Sequence, residues 1–514
     1  MSRLTAALLA LAAGTWSLGF TQTTRVPRIW NEADLADWAT PVAGPNVRPA
    51  HYSEAEYYAV PADNLKTYPV YHPDAEPAGY WEDLQKRKPE PIVDVSKIRS
   101  TADWITAGER AFRELDSVLV RTNDPALIAQ ARAPETFKEV MRLADGTVFG
   151  PRWVVTERGV MLSIGACGFC HRSIQSDRTV RFGGPGGRDP DAVRGPGNPR
   201  VLPPLPLIGA QGTGRRLQAF YQGDPLPVAF WREFQTPWVA DDAVAPFKTL
   251  SVAELQQFNN TAGIGRSFSN GVFARANGSP YFVTKIVDLQ NLKYSRYLDA
   301  TGTHRLRGPE DVARYAALVT GVDPMDFGQY RILSDAQRHI RYRYADEVLY
   351  AIGVYLMSLE PRKNSDVAPR EMLARGEQIF MREGCVECHT PPAYTSGKLT
   401  IAQGWRPPAS HPNQADILMR SVGTDSGLAL KTRKGTGFYK VPSLRGVWYR
   451  PLLLHDGSLT SLEEMFDSAR LKDDYRRTGW IPPGATTRPV VGHQFGLRLS
   501  EAEKAALLAF LRSL

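Results

Sequence analysis

Cysteine is scarce in this chain, with four residues among 514. They are Cys167, Cys170, Cys385 and Cys388. The four form two Cys-x-x-Cys pairs, so no cysteine is left over for a disulfide elsewhere. Histidine is also rare, with nine residues, yet His171 and His389 directly follow the two pairs. A thiol redox pair or a four-cysteine zinc site requires no histidine at that place.

The repeated motif Cys-x-x-Cys-His is the attachment signature of c-type haem. Positions i, i+3 and i+4 of a helix share a face, so both thiols can reach one porphyrin while the imidazole points at its iron. We therefore expect two covalently bound haem c groups, with His171 and His389 as the proximal iron ligands. Zinc binding and thiol redox chemistry are the alternatives.

Long blocks of a single charge are also missing. The chain has 62 Lys and Arg against 54 Asp and Glu, a net charge of +8, but the basic residues are scattered singly. This distribution argues against nucleic acid as a partner. A basic surface of this kind is either simply solvated or serves to dock an acidic redox partner protein.

Long apolar runs are missing everywhere except at the N-terminus. Residues 1–20 have one early arginine and then an apolar run interrupted by threonine and serine, the order of a secretory signal peptide. We expect an exported protein, periplasmic or secreted, that contacts a membrane only if this segment is an uncleaved anchor. No other window approaches the 18 apolar residues typical of a membrane span.

An internal duplication organises the rest of the chain. Residues 344–359 and 499–514 align without a gap, and both have the apolar spacing of amphipathic helices. The second begins with a capping box, Ser500 and Glu503. Each half is interpreted as one cytochrome c-like haem domain closed by such a helix. The predicted fold is mainly α, with haem domains at 106–360 and 372–514 joined by a linker at 361–371.

The first half is longer than a minimal haem domain. It contains "RFGGPGGRDPDAVRGPGNPRVLPPLPL" at 181–207, whose glycines and prolines exclude regular structure, and an aromatic stretch at 217–240. Residues 21–105 are rich in Pro, Tyr and Trp, and we predict an irregular extension there. The first haem domain is thus expected to be enlarged by long irregular insertions.

The stretch "GTGFYKVPSLRGVWYRPLLLHDGSLTSLEEMFD", residues 435–467, resembles the C-terminal signature of the bacterial di-haem cytochrome c peroxidases and their relatives, including the enzyme that matures methylamine dehydrogenase. The tail at 490–514 and the large first domain resemble a long subgroup that includes the di-haem rubber oxygenases. The resemblance implies a relay at the C-terminal haem and chemistry on peroxide or dioxygen at the N-terminal haem. The distal glutamine and glutamate pattern of the peroxidases is not recognisable after His171.

The sixth ligand of the second haem has three candidates: His493, Met419 and His455. His493 lies in a glycine loop before the closing helix, and the rubber oxygenase resemblance implies a second histidine at this haem. Met419 suits a peroxidase-like relay, and His455, in the turn "HDGS", suits a neighbour of the site. For the first haem no sixth ligand is assigned; the available histidines are His51, His72, His304 and His339.

The catalytic side chains are unassigned, and one of Trp153, Trp405 and Trp448 is a candidate residue between the haems, with core packing as the alternative. Two functions remain. One is an oxidoreductase of the peroxidase or oxygenase type that uses a small-molecule oxidant, with or without an apolar organic substrate. The other is an electron-transfer cytochrome without a substrate. The spin state of the first haem distinguishes them.

Overall fold

The computed structural model of the chain describes residues 26–185, 203–207, 236–239, 249–251, 253–254, 271–273 and 281–514. The predicted signal peptide or anchor at 1–20 and most of the glycine-, proline- and aromatic-rich insertion lie outside the described residues. Within the described residues, no helix is both long and apolar enough to cross a bilayer.

The described residues are rich in helix. The α-helices are Glu32–Leu35, Glu54–Tyr58, Tyr80–Lys86, Thr101–Glu114, Pro125–Gln130, Pro134–Phe137, Cys167–Cys170, Pro309–Thr320, Asp346–Ser358, Arg370–Arg382, Gly427–Leu430, Leu462–Met465 and Glu501–Ser513. The strands are Pro49–Ala50, Ala62–Asp63, Thr67–Tyr71, Thr147–Thr156, Gly159–Ile164, Arg172–Ile174, Val180–Phe182, Val272–Phe273, Thr284–Lys285, Tyr297–Leu298, His304–Arg305, Asp326–Phe327, Tyr330–Arg331, Arg343–Tyr344, Leu399–Ile401, Ile417–Leu418 and Phe438–Lys440.

Each half is built on a crossing of two long helices. In the first half Thr101–Glu114, the first packing helix, crosses Asp346–Ser358, the first closing helix. In the second half Arg370–Arg382, the second packing helix, crosses Glu501–Ser513, the second closing helix. Both closing helices predicted from apolar spacing are therefore present, and the second has the expected capping box at Ser500.

A glycine sits at each crossing. A Cβ added to Gly108 would lie 1.9 Å from the carbonyl oxygen of Ala351, and one added to Gly376 would lie 2.1 Å from that of Ala506. This close backbone approach requires glycine. One turn further on, Phe112 contacts Tyr355 and Phe380 contacts Phe510, at ring centroid distances of 5.8 and 5.5 Å. The two crossings therefore repeat the same packing.

The repeat also includes the turns before the closing helices. Short 3-10 helices occur at Leu292–Tyr294 and Val447–Tyr449. Each is followed by a tight turn with two left-handed residues, Asp299 and Gly302 in the first half, and Leu454 and Gly457 in the second. Each of these features in the second half lies the same number of residues after its counterpart in the first half. The second closing helix follows the first by that same number of residues. The duplication thus extends well beyond the helices that reveal it in the sequence.

The two halves contact each other reciprocally. The backbone N–H of Lys285 donates to the carbonyl of His455 at 2.8 Å, and that of Lys440 donates to the carbonyl of Ala300 at 3.0 Å. Lys285 and Lys440 occupy matching positions in the repeat, and so do Ala300 and His455. Such an exchange of equivalent contacts is the mark of a two-fold relation between similar units.

The first half contains a sheet that its counterpart lacks. Thr67–Tyr71, Thr147–Thr156 and Gly159–Ile164 form a three-stranded antiparallel sheet. The chain leaves the first packing helix at Leu115 and returns at Ala166, whose N–H donates to the Leu115 carbonyl at 2.7 Å. In the second half Cys385 follows the packing helix almost directly. Residues 147–164 carry alternating apolar positions on two strands joined by a tight turn, a hairpin signal that a mainly α prediction overlooked.

Residues 26–105, the described part of the predicted irregular extension at 21–105, contain more regular structure than we predicted. Short helices begin at Glu32, Glu54 and Tyr80, a strand at Thr67, and the first packing helix at Thr101. Polar caps precede several of these starts, including a capping box at Ser53 and Glu56. The linker predicted at 361–371 is coil as far as Pro369, and the second packing helix begins at Arg370.

Candidate haem-binding sites

The second Cys-x-x-Cys-His motif forms a helical turn. Cys385–Glu387 is a 3-10 helix that starts after Gly384, and the N–H of His389 donates to the Cys385 carbonyl at 2.9 Å. The Nδ1 atom of His389 lies 3.1 Å from the Pro442 carbonyl and 3.2 Å from that of Tyr394. Because Nδ1–H donates to these carbonyls, Nε2 is the nitrogen left to bind a metal.

His493 faces His389. The two ring centroids are 6.5 Å apart, with an angle of 56° between the rings. Two imidazoles on opposite sides of one metal ion have centroids roughly 6 Å apart, because each metal–nitrogen bond is about 2 Å. Burial lowers the pKa of both side chains to about 4, so both imidazoles are neutral, as metal ligands must be. The pair therefore fits a shared iron.

The loop that carries His493 is strained and tightly held. His493 has φ of 49° and Gly492 has φ of 77°. A Cβ on Gly492 would lie 2.1 Å from the backbone nitrogen of Thr424, and the N–H of His493 donates to the Val422 carbonyl at 2.6 Å. Left-handed backbone at a residue other than glycine tends to occur where function requires it. In the described residues the Nδ1 atom of His493 is buried without a hydrogen-bond partner.

The other two candidate ligands of the second motif are placed differently. Met419 follows the strand Ile417–Leu418, and its side chain is 57% exposed. The ring of His455 packs on that of Tyr439 at 4.4 Å, and its Nε2 lies 3.3 Å from the Tyr439 hydroxyl. Of the three candidates, His493 is the one whose ring is placed opposite His389.

The first motif repeats the arrangement of the second. Cys167–Cys170 is a short helix, and a Cβ on Gly168 would lie 2.8 Å from the carbonyl oxygen of Phe112 in the first packing helix. The Nδ1 atom of His171 lies 3.0 Å from the Val287 carbonyl. Val287 corresponds to Pro442 at the constant spacing of the repeat. Sequence reasoning missed both acceptors, although extending the gap-free alignment backwards from the closing helices would have paired them.

Arg338 occupies the position of the first half that corresponds to His493. Each of the two residues lies the same number of residues before the start of its closing helix. The Nε of Arg338 donates to Asp326 at 2.8 Å, and its Nη1 donates to Glu56 at 3.2 Å. Its guanidinium also lies 5.2 Å from the ring centroid of Tyr52. A guanidinium has no lone pair for iron, so this arginine is no counterpart of His493 as a ligand.

The remaining histidines of the first half have other surroundings. His51 and His304 face each other with their Nε2 atoms 3.3 Å apart, and both rings pack on Trp38. His72 caps a 3-10 turn, and His339 is exposed. Two of the four unassigned histidines, His51 and His304, are therefore in contact with each other.

The three tryptophans considered as residues between the haems have local contacts. Trp153 lies in the sheet against Trp81, with ring centroids 4.9 Å apart, and Trp405 packs on Phe438 at 4.8 Å. The Trp448 indole donates to a backbone carbonyl of the linker at 3.2 Å. These contacts favour the packing interpretation for Trp153 and Trp405.

The structure disfavours the two alternatives to haem. The described residues include all four cysteines. Within the described residues, no three His, Cys, Asp or Glu side chains are grouped so that they could hold a metal ion. Burial raises the pKa of Cys167 to about 12 and that of Cys385 to about 11, whereas redox-active thiols have a lowered pKa. The two pairs are consistent with haem c attachment.

No protein-family model and no curated protein matches the chain. Among solved structures it is similar to the hydrazine synthase of Kuenenia stuttgartiensis, at 13% identity over 57% of this chain and 87% of that one, with a TM-score of 0.28. It is also similar to the diheme peroxidase BthA of Burkholderia thailandensis, at 18% identity over 64% and 91% of the two chains, with a TM-score of 0.26.

A third similar structure is a MauG-like protein associated with microbial copper homeostasis. The identity is 18%, the match covers 33% of this chain and 56% of that one, and the TM-score is 0.20. All three TM-scores are too low to establish a shared fold, so the interpretation of the sites depends on this chain's own residues.

Proposed function

We propose that the protein is an exported di-haem c-type cytochrome of the peroxidase and oxygenase type, in which the second haem relays electrons and the first reacts with peroxide or dioxygen. The observation that carries the proposal is the contrast between the two motifs: a histidine faces His389, whereas the corresponding residue of the first half is an ion-paired arginine.

The residues of both halves fit covalently attached haem. In each, two thiols precede a histidine whose Nδ1 is engaged by a backbone carbonyl, Val287 for His171 and Pro442 for His389. This hydrogen bond fixes the ring orientation and makes Nε2 a better donor. A haem with two histidine ligands supplies one-electron transfer, and one with a single histidine also offers a coordination position for an oxidant.

In the second half the protein's contribution is to hold two neutral imidazoles opposite each other. His389 is fixed by two carbonyls, and His493 is fixed through its backbone at Val422. Because both rings are half-buried and positioned before any electron arrives, little rearrangement would accompany a change of iron oxidation state. Such a site suits a relay.

In the first half the enlarged domain supports a substrate role. Trp238, a described part of the aromatic insertion, contacts Phe327 and Tyr330 at 5.4 and 5.0 Å and donates to the Arg433 carbonyl at 3.1 Å. Trp238 thereby contacts both halves of the chain at this one described point of the insertion. An aromatic insertion anchored in this way can exclude water and enclose an apolar organic substrate.

The proposed partners are a redox partner protein, attracted by the basic surface, and a small-molecule oxidant. The alternative is an electron-transfer cytochrome in which both irons have two protein ligands and no substrate binds. The histidine pair His51 and His304 shows that the first half contains further imidazoles, so this alternative requires a direct test.

The test is an electron paramagnetic resonance and absorption study of the purified holoprotein. We expect one low-spin signal assigned to the second haem and one high-spin signal assigned to the first. Cyanide should convert the high-spin signal alone, and peroxide should consume reducing equivalents stored in the half-reduced protein. Two low-spin signals, with neither iron binding cyanide in either oxidation state, would establish the electron-transfer alternative.

A further inference from the structure

Two buried arginines hold the segment that carries His493. We call residues 488–493 the His493 strap. Arg470 is fully buried, and it donates from Nε to the Met465 carbonyl at 3.1 Å, from Nη1 to the Val490 carbonyl at 2.5 Å and from Nη2 to the His493 carbonyl at 2.9 Å. The Val490 N–H donates back to the Arg470 carbonyl at 2.7 Å.

The second arginine, Arg477, holds the other end of the strap. Its Nε donates to the Arg488 carbonyl at 3.3 Å and its Nη2 to the Pro489 carbonyl at 2.7 Å. Its Nη1 donates to the Asp456 carboxylate at 3.2 Å, so its charge is paired. Arg477 thus fastens the strap to the body of the second half without touching His493.

All three guanidinium nitrogens of Arg470 donate hydrogen bonds to backbone carbonyls. Burying a guanidinium on neutral acceptors costs free energy that a methionine or leucine in the same place would not, so stability alone does not explain an arginine here. What the arginine supplies is geometry, because its rigid fork ties the helix end at Met465 to two carbonyls of the strap at once.

The tie to the His493 carbonyl acts on a strained residue. At φ of 49° His493 is held in a conformation that residues other than glycine leave unless surrounding contacts enforce it. Relaxation to the ordinary right-handed region would swing the imidazole away from His389. An axial ligand tolerates displacements of only about 0.5 Å before the geometry is lost.

From these contacts we infer that Arg470 is the positioning residue of the second haem site, which holds His493 in the orientation needed to be the sixth iron ligand. The inference depends on the proposed ligation by His493. In the part of the chain that the structure describes, the Arg470 guanidinium donates to the Met465, Val490 and His493 carbonyls, so it acts through the backbone of His493.

The test compares two variants of the holoprotein, Arg470→Met and Arg477→Met. Both remove a buried guanidinium that holds the same strap, so a general loosening of the fold would affect both. We expect Arg470→Met to lower the ratio of low-spin to high-spin signal at the second haem about tenfold, the effect of about 1.4 kcal/mol. Arg477→Met should keep the low-spin signal.

Rescue experiments separate positioning from unfolding. Added imidazole should restore the low-spin signal of Arg470→Met, and Arg470→Lys should retain part of it, because an ammonium can still reach one carbonyl. Far-ultraviolet circular dichroism should show the same helix content in all variants. The inference is overturned if Arg470→Met keeps an unaltered low-spin signal, if both Met variants lose it equally, or if imidazole restores nothing.

A third variant distinguishes failure of this inference from failure of the proposed function. If His493→Ala leaves the second haem low-spin, His493 is not the ligand, and the proposed relay and the role of Arg470 both fall. If His493→Ala gives a high-spin second haem while Arg470→Met does not, the ligation stands and only the positioning role is wrong.

Discussion

The two halves of the molecule share a frame and differ in what they attach to it. In the second half the motif at Cys385 follows the packing helix almost directly. In the first half the chain makes a long excursion through a three-stranded sheet before Cys167, and the excursion begins and ends at one hydrogen bond between Ala166 and Leu115. The helix crossing therefore tolerates a large insertion, because the insertion closes on itself.

The difference is sharpest at the position of the repeat that holds His493 in the second half. At this position, in the loop ahead of the closing helix, the second half has a half-buried, strained histidine and the first half has an arginine bound to Asp326 and Glu56. The duplicated frame thus carries different side chains at one matching loop position, and the proposed difference between the two haem sites depends on that exchange. The proposed assignment of a relay to one half and of chemistry to the other depends on this contrast.

The largest expected effects come from removing a thiol in each half. Cys385→Ala should abolish stable haem attachment in the second half only, and Cys167→Ala in the first half only, because in the proposed di-haem protein each cysteine forms a covalent bond to its own haem. Mass spectrometry of the denatured protein should show one haem in each variant and two in the wild type. Loss of both haems from either variant would mean that the halves do not fold independently around their haems.

The next effect compares the two positions before the closing helices. His493→Ala should convert the low-spin signal of the second haem to high-spin, because it removes the imidazole opposite His389. Arg338→Ala should leave both spin states as they are, because the arginine is engaged with carboxylates. A spin-state change at the first haem in Arg338→Ala would contradict the comparison.

A smaller effect is expected at the helix crossings. Gly108→Ala and Gly376→Ala each place a methyl group about 2 Å from a backbone carbonyl, so each should lower the free energy of unfolding by about 1–3 kcal/mol. Thermal unfolding followed by circular dichroism measures the loss. Glu377→Ala, an exposed change on the second packing helix, is the control and should lie within about 0.5 kcal/mol of wild type. Equal stability of all three variants would show that the crossings can separate freely.

The features that could be predicted from the sequence are those that local side-chain patterns indicate. The closing helices at Asp346–Ser358 and Glu501–Ser513 follow from apolar spacing and, in the second, from the Ser500 cap. His493 was one of three candidates that the sequence left open for the second haem, and it is the one that the structure places opposite His389.

The features that were missed depend on backbone groups and on long-range contacts. The Val287 and Pro442 carbonyls that orient the proximal histidines leave no side-chain signal. The role of Arg470 depends on a carbonyl 23 residues away. The sheet of the first half was hidden because the strand Thr67–Tyr71 lies in a segment whose proline and tyrosine content suggested coil.

The smallest expected effect tests the histidine pair of the first half through pH. His51 faces His304, with Asp323 and Lys434 as nearby charges, and burial lowers the pKa of His51 to about 4. The unfolded chain binds a proton at this residue below pH 6.5, its ordinary pKa, whereas the folded protein does so only near pH 4. The stability contributed by neutral His51 is therefore fully present above pH 6.5 and is lost as the pH falls towards 4.

For this one group the loss between pH 7 and pH 5.5 is about 1 kcal/mol. In His51→Gln, the unfolding free energy should therefore fall by about 1 kcal/mol less between pH 7 and pH 5.5 than it does in the wild type. Denaturant titration at each pH measures this free energy. Val319→Ala, an exposed change of a side chain that does not titrate, should leave the slope of the wild type. Because neither residue belongs to the second half, the low-spin signal assigned to His389 and His493 should be the same in both variants. A His51→Gln protein with the wild-type slope would show that the pair opens to solvent before it is protonated.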